Sequence, residues 1–440
     1  MTRAAPLLAL ALAGCAFLCP PDAPREDALP SARVEAPRGP LLAGAAKVDI
    51  TPEHDMYMGG SKILRRSQGV HDPIWARALA LRRGDVTLVI ISADLVGLHH
   101  HHVEVVRARL AARAPGAAVL VHATHNHAGP DTLGMWGLPP LWTGVDEGYQ
   151  ARLLQALTQA ADVAIADLGP ARLRWGQVQA PTEGISKNRR DPALIDRTVT
   201  ALGLDRPDGA PVATLVHYAC HPEAVTSSNR LLSADFPQAL YTAVEAARPG
   251  SVALFLNGPL GGMVTTDTRA RTFEEADRIG AALGALALDA LAGGHDAPDD
   301  LALAAASHPL WMPIQNRRYH LGSSLGIFAG RPFDGGHTRT EVQALRLGPV
   351  VLLAAPGEVL PRLGYQLQRL IDAPVALVVS LGNDELGYLI PEDEFDADRF
   401  RYERTVSPGP LAAPLLRRTA RAALADVGAL ADEDEDVGRR

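Results

Sequence analysis

The chain has 440 residues, a formal net charge of −8 and 47% hydrophobic residues, enough for one large core or two ordinary ones. The acidic balance argues against a nucleic-acid partner, which needs a clustered positive field; the pairs Arg65-Arg66, Arg82-Arg83 and Arg189-Arg190 are scattered among acids. Three cysteines, Cys15, Cys19 and Cys220, make neither a disulfide framework nor a cysteine zinc cluster.

Arg3 opens the chain, and the apolar run Ala4 to Ala13 is too short to span a bilayer, so residues 1–14 read as an export signal. Leu12-Ala13-Gly14-Cys15 resembles the lipobox of bacterial lipoproteins, which implies lipidation of Cys15 and membrane attachment without a spanning helix. Ala16 is not the aspartate of inner-membrane retention, so the expected place is the cell envelope, at the outer membrane or cell surface. Residues 15–41, rich in Pro, Ala, Arg and Asp, read as a tether; residues 426–440 read as a solvated acidic tail.

Between them, residues 42–425 read as one domain without an internal repeat. Val86 to Ile91 is a buried strand, His102 to Ala114 a helix, Val119 to His122 a strand and Tyr149 to Leu168 a long helix. Strand Val212 to Tyr218, helix Phe236 to Arg248, strand Val252 to Leu256 and helix Phe273 to Leu291 follow. The last group is strand Val350 to Ala355, helix Glu358 to Ile371 and strand Val375 to Leu381. This alternation predicts an α/β fold, a mixed multi-layer sheet domain with helices on the faces and part of the sheet parallel.

The most informative run is Leu120 to Pro130, which holds His125 and His127 at the end of a strand. Residues two apart in a strand share a face, and neutral imidazole is a common zinc ligand. Further polar groups stand at other strand ends: His221 before Pro222, Glu358 after Pro356-Gly357, and Tyr388 after Asn383-Asp384-Glu385-Leu386-Gly387. Taken singly, Glu358 also reads as a first-turn acid of a helix and Tyr388 as a rim tyrosine. His217 reads as a core residue. The run His99 to His102 begins a helix, so only some of its rings could share a face.

The order of motifs resembles the catalytic domain of the neutral (alkaline, non-lysosomal) ceramidase family, from Ala43 to about Gly409. The resemblance rests on Gly44 to Pro52, Met58-Gly59-Gly60, Gly69 to Ala78, Ser92-Ala93-Asp94, His125 to Pro130, His221-Pro222, Pro356-Gly357-Glu358 and Asn383 to Tyr388. It implies one zinc ion held by His125, His221, Glu358 and Tyr388, with His127 beside the metal against the reacting group. It also implies a substrate-binding arginine at Arg189, with Arg190 an equal match, and a second active-site tyrosine at Tyr402. The implied reaction is hydrolysis of a linear amide, N-acyl sphingosine (ceramide) or a related N-acyl lipid, by zinc-activated water.

Where the family carries Gly-Asp-x-Ser-Pro, this chain reads Gly261-Gly262-Met263-Val264-Thr265-Thr266-Asp267. A serine nucleophile has no support, and the general base stays open between Asp267 and another group. No counterpart of the family's C-terminal immunoglobulin-like domain is expected. Two alternatives stand beside the amidase: a degenerate ceramidase-like lipoprotein with a binding role, and a cyclic-amidohydrolase-type metal enzyme, which requires a (β/α)₈ barrel.

Overall fold

The computed structural model describes residues 21, 23–25, 29–36, 39–138, 141–225, 228–328 and 330–432. The expected export signal, Cys15 and residues 433–440 of the acidic tail lie outside these residues. No helix among the described residues is long and apolar enough to cross a membrane.

The chain runs through one order of elements three times: an antiparallel three-strand meander, a crossover helix, a parallel strand and a long helix. The first pass uses strands Leu42–Asp49, Trp75–Arg83 and Val86–Ala93, helix His100–Ala111, strand Ala118–Ala123 and helix Glu147–Ala166. The second uses Arg172–Gln179, Thr198–Asp205 and Pro211–Tyr218, helix Phe236–Ala247, strand Val252–Asn257 and helix Phe273–Ala292. The third uses Leu303–Pro313, His337–Leu347 and Val350–Ala354, helix Pro361–Gln368, strand Val375–Val379 and helix Ala412–Asp426. With one added edge strand each, these make three five-stranded sheets. The expectation of no internal repeat is therefore corrected. The repetition lies in topology, and loops of unequal length hide it from the sequence.

The three sheets turn one face toward a shared core, where Leu88 and Ile90 meet Leu215 and Leu254 of the second sheet and Leu352 and Leu377 of the third. The crossover helix and the long helix of each pass cover its sheet's other face. Strands covered on both sides need near-continuous apolar runs, and Val86–Ala93, Val350–Ala354 and Val375–Val379 supply them. The mixed α/β class read from the sequence holds. The described residues form open sheets and not the eight-stranded barrel of the cyclic amidohydrolases.

Three boundaries differ from expectation. Ala32–Glu35, read as tether, forms an edge strand on the third sheet, pairing with Ala304 to Ser307; an open edge offers unpaired backbone groups that a short polar segment can satisfy. Residues after Asp426 pack onto the fold, with Val427 and Ala429 buried and Ala431 N–H bonded to Leu370 O. Glu358 does not open a helix. It lies in the two-residue strand Glu358–Val359, and the helix starts at Pro361, a residue suited to the first turn.

Candidate active site

The loops that follow the parallel strands gather at one end of the shared core. Strand Ala118–Ala123 ends before His125, whose φ of +65° is left-handed. His125 and His127 therefore face one another through a turn and not through strand alternation. Asn126 holds this turn: its Nδ2 donates to Asp94 O (3.1 Å) and Ser233 O (2.7 Å), and its Oδ1 accepts Ala128 N–H (2.8 Å). The His127 ring lies over Gly60, where a Cβ would come within 2.4 Å of it, so Met58-Gly59-Gly60 admits no side chain there.

The imidazoles of His125, His127 and His221 converge, each offering a ring nitrogen within 4.8 Å of the others'. Their rings meet edge to face, with centroids 4.8 Å apart for His125–His127 and 4.9 Å for His125–His221. His125 Nδ1 lies 2.7 Å from Val96 O, and His221 Nδ1 lies 2.8 Å from Val264 O. With each Nδ1–H donated to a carbonyl, each neutral ring presents a lone pair at Nε2. Both Nε2 atoms face Glu358 Oε2, at 3.0 Å from His221 and 3.5 Å from His125. Three buried acceptors aimed at one another need a cation or a shared proton between them.

Glu358 and Tyr388 come together by register. The strands Glu358–Val359 and Tyr388–Leu389 pair in parallel, with Glu358 opposite Tyr388. The Tyr388 hydroxyl reaches Met263 Sδ at 3.7 Å and, beside Glu358, helps hold that carboxyl down; burial raises the phenol well above its usual range. Gly387, at φ +82°, is required for this approach, because a Cβ there would strike Val406 O. Burial lowers the pKa of His125, and of His127 more strongly. Burial opposes charge on His221 too, but the Glu358 carboxylate outweighs it and raises that ring above its ordinary value. Burial alone would raise Glu358; the His125 and His221 imidazoles turn the net shift downward.

Two imidazoles oriented by carbonyls, a carboxylate and a phenol form a hard-to-borderline donor set that suits a divalent ion such as zinc. Among the described residues, no second group of three such side chains converges as closely. The run His99 to His102 does not. The rings of His99, His101 and His102 pack against one another at 4.0–5.9 Å, and His99 is occupied by Leu133 O (3.2 Å) and the Arg331 guanidinium (3.1 Å).

The cluster opens on a mainly apolar cavity of about 230 Å³, lined by His125, His127, Glu358, Tyr388, Tyr402, Ile63, Leu133, Trp136, Phe328, Arg331 and Glu385 among others. Tyr402 stands at the mouth, 54% exposed, its ring centroid 6.0 Å from that of Tyr388. Arg189 is exposed and Arg190 is paired with the buried Glu403 (2.6 Å); neither lines this cavity. Asp267 does not replace the missing acid: it accepts Gly184 N–H (2.8 Å) and pairs with Lys187 (3.0 Å), and these two partners hold its carboxyl below the usual range.

Several polar residues of the site went unread in the sequence. Glu223 Oε2 lies 3.6 Å from His127 Nδ1, and its position just after His221-Pro222 was the available signal. Arg65 is buried and donates to the carbonyls of Gly59 and His127, fixing the loop under the ring. Arg331 and Asp384 form a buried ion pair at 2.6 Å. Burial, aided by the charge of Glu358, pushes the Glu385 carboxyl well above its ordinary range.

Comparison with known proteins bears on the first half of the chain by sequence and on most of it by fold. Residues 41–252 match the family profile described as neutral/alkaline non-lysosomal ceramidase, N-terminal. A neutral ceramidase of Pseudomonas aeruginosa is 27% identical over 218 residues, covering 44% of this chain and 32% of that protein. A neutral ceramidase of Mycobacterium tuberculosis is 29% identical over 219 residues, covering 44% and 34%. The matched stretch thus spans about a third of each relative's length. The crystal structure of the Pseudomonas aeruginosa neutral ceramidase superposes with a TM-score of 0.70 at 21% identity, covering 87% of this chain and 74% of the other. A ceramidase complexed with C2 superposes at 0.71 and 20% identity, covering 87% and 75%. At that identity the superpositions establish a shared fold.

Proposed function

Because residues 41–252 place this chain in the neutral/alkaline non-lysosomal ceramidase family, we propose that it is a metal-dependent hydrolase of linear amides of the N-acyl lipid class, ceramide included. One observation carries the reading: two imidazole Nε2 atoms and a carboxylate oxygen face one another at the floor of an apolar cavity. In it His125, His221, Glu358 and Tyr388 would hold the ion. A zinc ion so held polarises a carbonyl and lowers the pKa of water.

The remaining residues act on the substrate. Both ring nitrogens of His127 lack a hydrogen-bond partner, which leaves them free to hydrogen-bond the amide oxygen or carry a proton. Glu223 supplies the nearest acid to that ring, where this chain has Gly262 in place of the family motif's aspartate. Tyr402, at the mouth, would hold the leaving amine, and Ile63, Trp136 and Phe328 would offer apolar contact to an acyl chain. Arg189 would have to reach the cavity from outside its wall. The Leu12-Ala13-Gly14-Cys15 tetrad supports anchoring through Cys15, which would bring the cavity close to lipid substrates.

The test is release of fatty acid from fluorescent N-acyl sphingosine and from simpler N-acyl amines, before and after chelation and after zinc is restored. Turnover abolished by chelation and recovered with zinc is the expected result. A metal-loaded protein that turns over no amide would overturn the hydrolase reading in favour of a binding role.

A further inference from the structure

Tyr402 lines the cavity from a helix of only five residues, Arg401–Thr405, and its side chain is exposed. Packing alone does not fix such a ring. The far end of the helix is tied down: Asn316 Nδ2 donates to the carbonyls of Arg404 (3.3 Å), Thr405 (3.1 Å) and Ser407 (2.9 Å). The near end is tied at the next residue. Glu403 is fully buried; its Oε1 accepts the Arg190 Nε–H at 2.6 Å, and its Oε2 has no hydrogen-bond partner. Arg190 stands on a firm base in the second pass. Asn188 Oδ1 accepts the N–H groups of Arg190 (2.9 Å) and Asp191 (3.0 Å), and Arg189 N–H reaches Met263 O (3.1 Å). Strand Ser186–Asn188 pairs with Val264–Thr266, and Val264 O accepts the His221 N–H (2.9 Å) and faces its Nδ1 (2.8 Å). The ion pair thus joins the element that aims His221 to the helix that carries Tyr402.

Resting on the amidase reading, we propose that Arg190 is a positioning residue: through Glu403 it sets the place of the Tyr402 phenol at the mouth, and so acts on amide hydrolysis without touching the substrate. A buried carboxylate keeps its place only with its charge partner, so the pair holds the first turn of the helix at a fixed distance from the second pass. The guanidinium also reaches the phenol: burial and the carboxylates of Glu358, Glu403 and Glu223 raise the Tyr402 pKa, and Arg190 draws it down. A group displaced by about 1 Å costs on the order of a hundredfold in rate, which makes the anchorage of an exposed ring matter. Arg189 does not share the role: its side chain is exposed and forms no part of the pair.

A double-mutant cycle on the full chain tests this, with kcat and KM measured on a fluorescent N-acyl amide for the wild type, Arg190→Met, Tyr402→Phe and the two combined. Arg190→Met is expected to lower kcat/KM by roughly tenfold when Tyr402 is present, and by less than about twofold when it is already Phe. Arg190→Lys should recover part of the loss, since an ammonium still meets the carboxylate but without the guanidinium's fixed plane. The pair Arg190→Met with Glu403→Leu guards against a folding defect: it removes both charges together, which a buried site tolerates, so it should melt close to the wild type yet show the same loss of activity. A loss of equal size in both Tyr402 backgrounds, or wild-type activity in Arg190→Met, would overturn the assignment. If no amide is hydrolysed, the hydrolase reading fails on its own, and fluorine NMR of the fluorotyrosine-labelled chain decides the positioning role. The Tyr402 signal, identified by its loss in Tyr402→Phe, should move and sharpen in Arg190→Met with Glu403→Leu as the ring gains freedom; an unmoved signal would overturn the proposal.

Discussion

The molecule carries two concentrations of histidine, and they differ in what the backbone does with them. At His125 and His221, carbonyl oxygens take the Nδ1 side of each ring, and both Nε2 atoms turn toward Glu358. In the run His99 to His102, rings stack on one another, and His99 is used up by Leu133 and Arg331. Proximity of imidazoles is thus a poor guide to metal binding. Lone pairs left over after the local hydrogen bonds are counted are a better one.

The largest effect expected is at the converging group. His221→Ala should lose the bound ion and lower kcat/KM by on the order of a thousandfold or more, whereas His102→Asn should keep the ion, as read by elemental analysis. Equal metal loss in both would erase the distinction. Next comes acid stability, which should depend on the spent histidines. Burial holds His102 and His122 at about 3 against an ordinary 6.5. The unfolded chain therefore binds more protons between those values. Their contribution is fully present above pH 6.5 and is lost as pH falls toward 3, amounting to on the order of 5 kcal/mol for the fully buried His122. Denaturant midpoints measured from pH 7 to pH 4 should fall accordingly, and His102→Asn should flatten the slope. A slope unchanged in that variant would mean His102 titrates normally.

Tyr388→Phe should cost roughly tenfold to a hundredfold in kcat/KM, by removing the hydroxyl of the residue paired opposite Glu358; a wild-type rate would exclude the phenol from the site. The smallest effect belongs to Asp267→Asn. Its partners are Gly184 and Lys187 on the surface side, so activity should stay within about twofold and stability within ~1 kcal/mol. A large loss of activity there would restore Asp267 as the base.

The ligand candidates were legible because each follows a strand that announces itself. Ala-Val-Leu-Val before His122, Val-Leu-Leu-Ala-Ala before Pro356 and Val-Ala-Leu-Val-Val before Ser380 are short apolar runs, and in α/β folds such strands end where sites form. The meander strands were harder. Arg172–Gln179 and Leu303–Pro313 mix polar and small residues because parts of them face solvent or a helix, so their periodicity is weak. The buried charges could not be read at all: Arg331 finds Asp384 53 residues later in the chain, and Glu223 reaches His127 only after two separate loops fold together. His125 was identified for a partly wrong reason, since a left-handed turn and not strand alternation aims it.

Elemental analysis of the purified chain, with the Glu358→Gln and His125→Ala variants beside it, bears most directly on the metal centre. We predict about one divalent ion per wild-type chain, strongly reduced in both variants while their helical and sheet content is retained. Full occupancy in the variants, or a wild-type protein that takes up no divalent ion when zinc is supplied, would contradict the account.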